Sequence, residues 1–171
     1  MRGLFGWLWR DFEKGSIKMG RAEIIDKLMV GATSNNIFSK EQMLRLFGDS
    51  EYLVLSRDNA RRFVDACAVV PNTLFIPESF DCDDFEAVFR ANRAWYRKKC
   101  GLSHPEAMGG FDYFSTSLGR VDHGVRRDNY HRAAWVLWHD DGRVNFEVYQ
   151  PQSDKWQDPR IEVQSATYYD A

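Results

Sequence analysis

Three residues in the second half of this chain have types and an order suited to nucleophilic chemistry: Cys82, His131 and Gln150. Cys82 lies in Phe80-Asp81-Cys82-Asp83-Asp84-Phe85, which ends a proline-marked loop and opens the longest helical pattern in the sequence. A cysteine at a helix N-terminus sits against unpaired N–H groups and the positive end of the helix dipole, both of which favour the thiolate. The flanking Asp81, Asp83 and Asp84 act in the opposite direction, because nearby negative charge raises a thiol pKa. Cys82 therefore needs an activating base before it can attack a carbonyl carbon. His131, at the start of a later strand pattern, is the candidate base, and Gln150 is placed to hold the imidazole in one orientation and tautomer. The helix end would supply backbone N–H groups to an oxyanion. Together these parts describe thiol chemistry on an amide or peptide bond.

Two elements have to position the three residues. From Phe85 the apolar side chains fall at helical spacing (Phe85, Val88, Phe89, Trp95, Tyr96), while Glu86, Arg90, Asn92, Arg93, Arg97, Lys98 and Lys99 suit a solvated face. Gly101 supplies the stop, and the three cations before it complement the C-terminal end of the dipole. The second element is a hairpin. Strand patterns over Arg132 to Asp140 and Arg143 to Tyr149 flank Asp141-Gly142, a dipeptide preferred in two-residue turns. That turn pairs Asp140 with Arg143, Leu137 with Phe146 and Trp135 with Val148. One face becomes His131, Ala133, Trp135 and Leu137 with Val144, Phe146, Val148 and Gln150, and it is the face expected to be buried. Position 131 then pairs with Gln152, and Gln150 is its diagonal neighbour on the same face. Glu147 and Tyr149 point the other way, unless the turn differs by one residue and reverses the faces.

The remaining sequence reads as support for these two elements. Helical patterns cover Arg21 to Val30 (inward Ile24, Ile25, Leu28), a capping box at Ser39-Lys40-Glu41-Gln42 running to Phe47, and Arg57 to Cys67 capped by Ser56. Phe38 is placed to staple Met43. Ala60, Phe63, Val64 and Cys67 form one inward stripe, which makes Cys67 a core residue. Tyr52 to Leu55 reads as a short strand or buried turn, Val69 to Ser79 as an extended connection, and Ser103 to Gly110 as a flexible crossover before a strand over Phe111 to Ser117. Leu118 to Tyr130 reads as a long surface loop. His104, His123 and His139 read as surface or turn residues. Leu4, Trp7, Leu8 and Phe12 could share a helix face that docks on the domain, or serve as an aromatic docking segment for a protein partner or a membrane surface.

Bulk properties set limits on this reading. A chain of 171 residues, 44% hydrophobic and 28% charged, suits one domain over 1–171 with a substantial core. The formal charge of -2 gives no reason to expect nucleic acid as a partner. The three cysteines, Cys67, Cys82 and Cys100, match no zinc spacing and suit a reducing, cytoplasmic setting. No stretch is long and apolar enough to make a transmembrane segment.

At Phe80-Asp81-Cys82-Asp83-Asp84-Phe85, His131-Arg132-Ala133 and Tyr149-Gln150-Pro151-Gln152 the chain resembles the cysteine-protease-like C-terminal domain of the Marasmius oreades agglutinin and its bacterial and phage relatives. The resemblance covers about residues 69–156. It implies an α+β, papain-like fold, with helices in the first hundred residues and a small antiparallel sheet packed on the Cys82 helix. It implies nucleophile, base and third-residue roles for Cys82, His131 and Gln150, and dependence on a divalent cation such as calcium. Two positions depart from the family pattern: Gln150 stands where an acidic residue is expected, and Leu74-Phe75-Ile76-Pro77-Glu78-Ser79 holds no glutamine to complete an oxyanion hole. Two functions follow: a cysteine hydrolase with a peptide or amide substrate, or a non-catalytic phage-type structural component that keeps this fold as a scaffold.

Overall fold

The computed structural model describes residues 12–31, 39–68, 82–115, 121–122, 125–126, 130–159 and 163–169. The organising element is strand β6 (Tyr130–Asp140), whose eleven residues have three partners. The hairpin partner β7 (Arg143–Gln150) lies along one edge, from Ala134–Tyr149 to Asp140–Arg143, in the register expected from the sequence. The turn residues Asp141 and Gly142 both have positive φ, 46° and 82°, as a type I′ turn requires. A strand has only two edges, so the remaining partners share the other one. Antiparallel β3 (Met108–Ser115) takes the first half of β6, and parallel β2 (Glu51–Ser56) takes Trp138 and His139. Outward from these lie β1 (Ile17–Gly20) beside β2, β9 (Val163–Tyr169) beside β3, and β8 (Lys155–Gln157) beside β7. The result is a mixed, seven-stranded sheet.

Four helices among the described residues cover both faces of this sheet. Helices α1 (Arg21–Gly31) and α2 (Lys40–Leu46) bury Ile24, Ile25, Leu28 and Met43 against Trp135, Leu137 and Val148 on one face. Helices α3 (Arg57–Cys67) and α4 (Cys82–Cys100) bury Phe63, Val64, Cys67 and Phe89 against Ala134, Val136 and Tyr149 on the other. The hairpin face expected to be inward is buried through His131, Ala133, Trp135, Leu137, Val148 and Gln150, and on the opposite face Ala134, Val136 and Tyr149 are buried as well. Two-sided burial follows from sheet composition: β1 and β2 come from the helical first half, so the sheet is wider than the second half of the chain alone could build.

Local signals account for most of the element ends. The capping box is formed, with Gln42 N–H donating to Ser39 Oγ and Ser39 N–H donating to Gln42 Oε1 at 2.8 Å. Gly101, at φ 67°, ends α4, and the Leu102 N–H donates to the Arg97 carbonyl in a Schellman closure. Ser56 holds the N-cap position of α3 but its side chain makes no capping bond. Phe12 packs edge-on against Phe63, ring centroids 5.5 Å apart, so the terminal segment docks on the domain at that residue. Leu4, Trp7, Leu8, Phe38 and the connection 69–79 lie outside the described residues.

Four sequence expectations are corrected. Trp95 is 56% exposed, whereas Glu86 and Arg93, read as solvated, are buried. The helical period was right, but the inward stripe of α4 carries charges that pair with the sheet: Arg93 with Glu106 at 2.6 Å and Glu86 with Arg132 at 3.0 Å. Gly109-Gly110 belongs to β3, paired with Trp135 and Ala134, because buried backbone groups must find partners whatever their side chains. The span read as a loop contains a small ribbon, β4 (Val121–Asp122) with β5 (Val125–Arg126). His139 is buried, with its Nε2 2.6 Å from the Gly15 carbonyl, and fastens the N-terminal segment to the hairpin. His123 lies outside the described residues, and His104 is half-buried beside Glu51.

Candidate active site

Strand pairing, rather than proximity in sequence, brings His131 and Gln150 together. The β6–β7 ladder stops at Ala134–Tyr149, so the expected pairing of His131 with Gln152 does not form. On the other edge of β6, β3 is the partner, and there His131 stands opposite Tyr113. After Gln150 the chain turns through residues 151–154, with the Ser153 N–H donating to the Gln150 carbonyl and Asp154 at φ 52°. It then returns as β8, pairing Gln150 with Lys155 and Val148 with Gln157. Side chains two residues apart on a strand share a face, so Gln157 arrives beside Gln150.

These placements create a buried chain of polar contacts. The His131 Nε2 lies 2.5 Å from Gln150 Oε1, and both residues are only 4% exposed. The Gln150 amide Nε2 donates to the Tyr113 hydroxyl at 2.5 Å and to Gln157 Oε1 at 2.7 Å. With the amide so oriented, Gln150 offers the imidazole only a carbonyl oxygen, and His131 must donate from Nε2. A neutral ring then carries its lone pair on Nδ1, the state a general base needs. The edge of the Tyr113 ring also meets the imidazole, centroids 5.6 Å apart at 79°. The β6–β7 register thus brings His131 and Gln150 together on one face, without the 131–152 pair.

Cys82 is the first residue of α4, as expected. The Cys82 side chain, with Asp81 and Asp83, lies outside the described residues. What the structure shows is how the first turn of α4 is held. Glu86, one turn after Cys82, is fully buried and accepts from Arg132 Nε at 3.0 Å, and Arg132 Nη1 reaches Asp112 Oδ1 at 3.1 Å. Arg132 directly follows His131, and Asp112 is its cross-strand partner. This ion network ties the Cys82 end of the helix to the strand that bears His131. Sequence reasoning missed Glu86, Arg132, Tyr113 and Gln157. Only the one-turn spacing of Glu86 from Cys82 and the adjacency of Arg132 to His131 were available as signals.

The alternative carboxylate and the other two thiols have structural roles. Glu147 faces away from the site, taking both oxygens to Arg61 at 2.7 and 2.9 Å and accepting from Trp138 Nε1. Burial pushes the Cys67 and Cys100 thiols above their usual range, with Glu106 adding to the effect on both. Neither carries appreciable thiolate at neutral pH. Among the described residues no three His, Cys, Asp or Glu side chains converge as a metal site.

Compared with solved structures, the chain matches Polyporus squamosus lectin bound to the human-type influenza-binding epitope Neu5Aca2-6Galb1-4GlcNAc, with a TM-score of 0.59 over 88% of its length. It matches the PSL1a-E64 complex over the same share of its length with a TM-score of 0.58. The fold is papain-like. Identities of 20% and 19% make this a likeness of fold. The chain spans about half the length of both matched proteins, 49% and 51%. No family model and no characterised protein matches by sequence. Among the described residues of this papain-like fold, no helix is long and apolar enough to cross a membrane.

Proposed function

We propose that the chain is a cysteine hydrolase acting on an amide or peptide bond, with Cys82 as nucleophile, His131 as general base and Gln150 as orienting residue. The observation that carries this reading is the buried contact between His131 Nε2 and Gln150 Oε1, which leaves Nδ1 to accept a proton. The Glu86–Arg132 link supports it by fastening the Cys82 turn beside that strand. The E64 complex of a matched chain supports it at the level of the fold, because E64 is a papain inhibitor.

In this reading His131 Nδ1 takes the Cys82 proton, and the thiolate attacks the carbonyl carbon. Backbone N–H groups at the start of α4 stabilise the oxyanion. The imidazolium returns its proton to the leaving nitrogen as the C–N bond breaks, which leaves a thioester on Cys82. Water, deprotonated by His131, then attacks the thioester, and the thiol leaves with the proton restored. Gln150 holds the ring throughout without adding charge.

The test is thiol reactivity. Iodoacetamide at pH 7 should label Cys82 at least about tenfold faster than Cys67 or Cys100, and E64 should compete for Cys82 alone. His131→Ala should slow labelling and move its midpoint up toward the free-thiol value of about 8.5. If Cys82 reacts no faster than a free thiol, and His131→Ala changes nothing, the scaffold function stands instead.

A further inference from the structure

Gln150 has a carbonyl and an amino end of nearly the same shape, and the end that meets His131 decides which ring nitrogen carries the proton. Turned one way, its oxygen accepts from Nε2–H and leaves Nδ1 as the base. Turned the other way, its NH2 donates to Nε2, the proton moves to Nδ1, and the nitrogen needed for thiol activation has no lone pair. Nothing within Gln150 prefers one orientation. At its other end the amide meets the Tyr113 hydroxyl at 2.5 Å and Gln157 Oε1 at 2.7 Å, two contacts that favour the orientation with the NH2 turned away from His131.

We infer that Tyr113 and Gln157 are positioning residues, which select the reactive His131 tautomer by binding both N–H donors of Gln150. This rests on the proposed function for its catalytic consequence, although the tautomer itself is a property of the folded chain. The two come from different elements. Tyr113 is fixed by β3, fully buried and stacked on Phe111 with centroids 4.7 Å apart. Gln157 is on the short strand β8 at the half-exposed margin of the site, and it is in reach because the 151–154 turn returns the chain onto β7. Both contacts accept a hydrogen from Gln150, so replacement by any side chain that also accepts should preserve the orientation. Loss of the acceptors should release it.

The experiment reads the His131 ring nitrogens by 15N NMR at a pH where the imidazole is neutral, alongside Cys82 alkylation rates. The parent chain should show predominantly the Nε2–H form. Gln157→Glu, which can only accept, should retain it. Gln157→Met should lower the ratio of the Nε2–H to the Nδ1–H form about fivefold, the effect of one ordinary hydrogen bond, and the Tyr113→Phe/Gln157→Met double variant should lower it further. Alkylation of Cys82 should slow in the same order, while Gln157→Glu stays near the parent rate. Because Tyr113→Phe keeps the buried ring and Gln157 is partly exposed, the fold should survive, as thermal melting will report. An unchanged tautomer ratio in the folded double variant overturns the inference. A shifted ratio with a Cys82 no more reactive than a free thiol supports the inference and removes the hydrolase reading instead.

Discussion

A neutral amide beside His131 fixes the direction of the imidazole without supplying charge to its protonated form. That distinction separates Gln150 from the acidic residue expected at this place. A carboxylate within hydrogen-bond distance of an imidazole favours the charged ring and raises its pKa, commonly by about one unit or more. Gln150→Glu should therefore raise the pKa of His131, followed by ring-proton NMR, by about one unit or more. The thiolate–imidazolium pair should persist to correspondingly higher pH. An unchanged pKa would mean that the introduced carboxylate turns away and that the 2.5 Å contact between His131 and Gln150 depends on the amide. The thiols differ at the same scale. Cys67 and Cys100 are held as inert core groups by burial, so any selective labelling of the folded chain belongs to Cys82.

The hairpin and α4 are the elements on which the site depends. The type I′ turn sets the register that gives His131 and Gln150 the same face, and its second residue, Gly142, sits at φ 82°. A β-branched residue is strained there, so Gly142→Val should cost about 1–3 kcal/mol. For a chain of this size that amounts to a fall in Tm of roughly 2–4 °C per kcal/mol. An added Cβ meets nothing within 4 Å at this position, so an unaltered melting curve would mean that the turn relaxes to another type. Helix α4 depends less on its own amphipathicity than its length suggests. Two of its inward positions are charges that meet opposite charges on the sheet side, which fixes the rotation of the helix more specifically than apolar contact alone.

At the scale of the molecule, Arg93–Glu106 is the most deeply enclosed ion pair among the described residues. The groups meet at 2.6 Å with poorly directed hydrogen bonds, and burial raises the Glu106 carboxyl above its usual range despite the nearby guanidinium. Arg93→Met leaves that carboxylate alone in the interior and should cost about 3–5 kcal/mol at neutral pH. The sign of the pH dependence follows from the raised folded-state value. The folded chain binds a proton more readily than the unfolded chain, so the contribution of Glu106 to stability is complete below the ordinary value of 4.5 and is lost as pH rises through the raised one. The Tm deficit of Arg93→Met relative to the parent should therefore shrink on going from pH 7.5 to pH 5. A deficit independent of pH would mean that water or another group compensates Glu106.

Short-range patterns in the sequence determined the elements that short-range forces make. The Ser39 capping box, the Gly101 stop, the stripe through Ala60, Phe63, Val64 and Cys67 and the Asp141-Gly142 turn each rest on contacts within a few residues, so composition and spacing suffice to find them. The same hairpin arithmetic placed His131 and Gln150 on one face. Tertiary structure decided whatever depended on pairing across long separations. Glu86 and Arg93 fall on a helix that looks solvated until Arg132 and Glu106 arrive from the sheet side. Tyr113 and Gln157 meet Gln150 only because β3 lies along the other edge of β6 and β8 folds back onto β7. The energy of a buried charge or amide resides in its partner, and for these residues the partner is distant in sequence and comes near only when the sheet closes.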